Sequence, residues 1–110
     1  MAITKAQLRT LIGRELEILP SNRSSLNAAD GALVDEYIDG VRAWLIEEGL
    51  CYWSADAIPE AAKLAVAYMV AGNAAASFNK QYGKAEAGMR LLKEHVASRP
   101  SGEPTKATFY

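Results

Sequence analysis

The sequence predicts an all-α protein: a small four-helix bundle followed by an extended, β-prone C-terminal tail. Three observations predict it. Apolar residues recur three and four positions apart over four separate stretches. Start or stop residues of the right chemistry bound these stretches. From Pro100 onward the chain holds Gly102 and Pro104 as well, a composition that no helix accommodates. The expected division is a helical body, 1–98, and a tail, 99–110.

The first helix opens at Thr4. Thr4 and Gln7 have the form of a capping box, in which each side chain satisfies a backbone N–H that the helix leaves without a partner. Leu8, Leu11, Ile12 and Leu16 then share one face, and Pro20 is expected to stop the helix ahead of a polar loop, 21–25. The second helix starts at Asn27, a good N-cap, with Asp30 near the positive end of the helix dipole. Leu33, Val34, Tyr37, Ile38, Val41, Trp44 and Leu45 form a broad apolar stripe, while Asp35, Glu36, Asp39, Arg42 and Glu47 take the other side. Gly49 stands where a left-handed residue closes a helix.

The connector 50–58 carries Tyr52 and Trp53. A third helix is expected over 59–80, with Pro59 at its first position, where a missing N–H costs nothing. Ala61, Ala65, Gly72, Ala75 and Ala76 flank Leu64, Tyr68 and Met69. Such small residues let neighbouring helices come close, so this helix should be central. Gly83 is expected to close the region. The fourth helix, 84–98, sets Ala85, Met89, Leu92 and Val96 on one face, and Pro100 ends it.

Composition narrows the function. A chain of 110 residues, half of them hydrophobic, fits one domain. Its 12 Lys and Arg against 13 Asp and Glu argue against nucleic-acid binding as the main task. The single cysteine, Cys51, excludes an internal disulfide and any zinc site built on two or more thiolates. Neither a signal-peptide core nor a membrane-spanning apolar run is read. His95 is the only histidine, and the sequence holds no metalloprotease, phosphate-loop or serine-hydrolase motif. Glu15 with Glu17 and Glu47 with Glu48 point apart on a helix rather than converging. The expectation is therefore a protein without catalytic, cofactor-binding or metal-ligating residues, working by shape and contact.

Three groups of residues are candidates for contact. Trp44, Tyr52 and Trp53 anchor either the joint between helices two and three or an interface. Lys80, Lys84, Arg90 and Lys93 give the late chain a basic bias, which under an alternative reading serves a small helical DNA-binding regulatory protein. Thr105, Lys106, Ala107, Thr108, Phe109 and Tyr110 read as a strand that completes a partner's sheet edge, with the aromatics filling pockets.

Taken together, helix two ending at Gly49 before Trp53-Ser-Ala-Asp-Ala-Ile-Pro59-Glu-Ala, the Ala-rich segment from Leu64 to Phe78, and the tail from Pro104 to Tyr110 resemble the head-to-tail adaptors of tailed bacteriophages. These are head-completion or tail accessory factors that dock beneath the portal. The resemblance implies a virion structural protein, made in the host cytoplasm and placed at the head–tail interface. It implies a homo-oligomeric ring of twelve copies that extends the DNA channel without reading sequence. The partners would be portal protein, neighbouring adaptor subunits and the next tail or nozzle component. The residues 105–110 would be the portal-binding tail.

Overall fold

The computed structural model describes residues 2–98. The expected tail, Thr105 to Tyr110 included, lies outside them.

Four helices form: α1 (Lys5–Glu15), α2 (Ala28–Glu47), α3 (Lys63–Ala74) and α4 (Ala85–Ser98). The class is mostly helical rather than wholly so, because β1 (Ala2–Ile3) pairs antiparallel with β2 (Ile58–Pro59). The register sets Ala2 opposite Pro59 and Ile3 opposite Ile58. This short ladder ties the start of the chain to the connector, and the Lys5 N–H donates to Asp56 Oδ1 at 2.7 Å just beyond it.

Local signals act as expected at several helix ends. Thr4 Oγ1 accepts from the Gln7 N–H at 3.1 Å, and Gln7 Oε1 accepts from the Thr4 N–H at 2.8 Å, closing the capping box. Asn27 Oδ1 accepts from the Asp30 N–H at 2.8 Å. Gly49 adopts φ +74°, the left-handed region that glycine enters freely.

Three boundaries differ from expectation. Helix α1 ends before Pro20 is reached, because Glu17 takes a left-handed φ of 58° and the Ile18 N–H returns to the Gly13 carbonyl at 3.0 Å. Pro59 is a strand residue with ψ 141°, ahead of the first helical turn rather than inside it. The expected helix 59–80 becomes a 3₁₀ turn (Glu60–Ala62), α3, and a second 3₁₀ turn (Ala75–Phe78). That second turn stops at Asn79, left-handed at φ 59°, and not at Gly83. Asparagine tolerates this region better than most residues, which is why the chain turns there.

Helix α3 is the middle of the molecule and packs on α1, α2 and α4. Ala65, Val66, Ala67, Met69, Val70 and Ala71 are all buried, so it is apolar nearly all round. Leu8, Ile12 and Leu16 cover it from α1 and the turn after it, Val34, Ile38, Val41 and Leu45 from α2, and Leu92 from α4. Glycine allows α4 an unusually close approach. A Cβ on Gly88 would stand 2.7 Å from the Ala65 carbonyl oxygen and 2.8 Å from Tyr68 Cβ. A Cβ on Gly72 would stand 2.6 Å from Ala85 Cβ.

Candidate functional site

The α2 stripe is narrower than its sequence pattern. Trp44 lies at its edge and is 45% exposed, while Val41 and Leu45 on either side of it are buried. The space beside Trp44 is a groove of 390 Å³ between α2, α3 and α4. Tyr37, Gly40, Val41 and Trp44 line it from α2, Met69 and Asn73 from α3, and Ala85 and Met89 from α4. Glu36 and Glu86 stand along it on α2 and α4.

The chemistry of the groove follows from these residues. Gly40 leaves it open, since a Cβ built there meets nothing within 4 Å. Two polar groups in the lining are turned to internal partners. Asn73 Nδ2 donates to the Met69 carbonyl at 2.8 Å, and the Tyr37 hydroxyl shares a 2.6 Å hydrogen bond with Ser77 Oγ. What faces the space is therefore largely hydrocarbon, thioether and indole. Such a surface takes an apolar or aromatic side chain, and methionine adapts its shape to aromatic rings. A shallower trough continues it along α4, past Glu86, Met89, Arg90, Lys93, Glu94 and Ala97.

The aromatic candidates separate. Trp53 is buried and anchors the connector. Tyr52 is 44% exposed and meets Trp53 edge-on, with centroids 5.0 Å apart. Its hydroxyl shares a 2.8 Å hydrogen bond with His95 Nε2, so the joint reaches α4 as well as α2 and α3. Trp44 belongs to the groove instead.

The basic candidates also separate. Lys84 turns to the body, with Nζ 3.5 Å from Glu15 Oε1 and 5.3 Å from the centre of the Tyr68 ring. Lys80 follows the Asn79 turn. Arg90 and Lys93 are exposed on α4 among Glu86 and Glu94. The four do not make one uniform basic face.

Glu15 is half-buried and receives the Tyr82 hydroxyl at 2.6 Å. Burial, and then this carboxylate, push the Tyr82 phenol well above the usual tyrosine range. The Arg9 guanidinium binds both oxygens of Asp35, at 2.8 and 3.0 Å, and these hydrogen bonds raise its pKa further. The first pair ties the segment ahead of α4 to α1, the second joins α1 to α2, and both belong to the scaffold.

No protein-family model, curated protein or solved structure matches the chain.

Among the described residues no cluster of three or more His, Cys, Asp or Glu is placed to hold a metal ion, and no helix is long and apolar enough to cross a membrane. Sequence reasoning passed over the groove itself: Gly40, Met69 and Met89 carry no motif. One signal was available. Gly40 interrupts α2 between Tyr37 and Trp44, three and four positions away on the same face, so it removes volume where two aromatics flank it.

Proposed function

We propose that this protein is a head-to-tail connector of a tailed bacteriophage. It is a four-helix bundle that assembles as a ring beneath the portal, with residues 105–110 docking on portal subunits and the ring continuing the DNA channel toward the tail. The observation that carries the reading is a helical body with apolar anchors on its outside, joined to an aromatic, β-prone tail. Trp44, Tyr52, Leu64 and Leu91 are all at least 40% exposed, and large side chains of this kind anchor protein contacts.

A closed ring repeats one heterologous contact, so each copy needs two unlike patches. The outside of α2 and its C-cap offers Glu36, Glu47 and Glu48, and the outside of α4 offers Arg90 and Lys93 interleaved with Glu86 and Glu94, all exposed. Pairing of Arg90 and Lys93 with the acidic side chains of a neighbour's α2 would set the order of neighbours rather than supply the bulk of the affinity. A formal net charge of −1 suits a channel through which DNA slides, since a strongly basic lining would hold it. The tail adds backbone hydrogen bonds at a sheet edge, repeated around the ring. Ring number twelve, the virion location and the next tail component as a partner follow from the adaptor resemblance.

The test is light scattering and negative-stain microscopy of the protein alone and after mixing with portal protein of the same virus. The expected result is a ring added to the portal, lost on deletion of 105–110 with helicity retained. A particle that ignores portal at every concentration would overturn the reading.

A further inference from the structure

We draw no further inference here: the strongest candidate, the apolar groove beside Trp44 between α2, α3 and α4, is an unpartnered face, and nothing in the structure shows what covers it.

Discussion

Replacing Gly88 with Ala tests the close approach of α4 to α3. Ala normally stabilises a helix interior by about 1 kcal/mol relative to Gly. At Gly88 the added methyl would lie 2.7 Å from the Ala65 carbonyl oxygen and 2.8 Å from Tyr68 Cβ, with Met69 Cγ at 3.2 Å. The methionine side chain can yield, but a backbone carbonyl and a Cβ cannot move without their helix. Overpacking of this kind costs about 2–3 kcal/mol. Less the propensity gain, the net loss is about 1–2 kcal/mol, or on the order of 5–10 °C in melting temperature for a domain of this size. Gly40→Ala is the matched control, because a Cβ there has nothing within 4 Å. It should gain about 0.5–1 kcal/mol. Urea unfolding followed by far-ultraviolet circular dichroism measures both. A Gly88→Ala variant as stable as wild type, or a loss of the same size at Gly40, would refute the packing argument.

Two further outcomes follow from the helix ends and from the Glu15 pair. Thr4→Ala removes one half of the capping box and should cost about 1 kcal/mol, read as a lower urea midpoint with an unchanged slope. Because the folded protein raises the Tyr82 pKa above the ordinary value of 10.0, the stability linked to it is complete below that pH and is lost as pH rises above it. Tyr82→Phe should therefore flatten the alkaline decline in melting temperature above pH 10, while lowering stability at neutral pH through the lost hydrogen bond to Glu15.

Much of the scaffold is written in short-range signals. Thr4 with Gln7, Asn27 and Gly49 each act on backbone groups within a turn, so their effect needs no knowledge of the fold. The small side chains of the segment around Ala65 and Ala71 likewise announce a helix that others surround. The end of α1 is different. Glu17 is an ordinary residue in a left-handed conformation, and no local preference marks it, whereas Pro20 offered a false stop. Asn79 could have been read as a turn, but the apolar run around it suggested continuation. The groove was the least legible part. Periodicity shows that Trp44 lies near the apolar stripe of α2 but not how wide a face α3 and α4 cover. Only the packed helices show that Trp44 and Gly40 are left beyond it. Gly72 is among the small residues that the sequence marks for close helix approach, whereas Gly88 carries no such mark, and what each one meets is visible only opposite Ala85, Ala65 and Tyr68.

The backbone-to-backbone seating of α4 on α3 also has a mechanical consequence. Long side chains between helices act as compliant spacers that shear and re-pack under load. At Gly88 there is no such spacer, and at Gly72 the spacer is a single methyl from Ala85. A pull along the chain beyond Ser98 would run up α4 and reach the central helix with little slack, so the two would move as one stiff strut. Traction on α4 would thus be passed on to the contacts that α3 makes with α1 and α2.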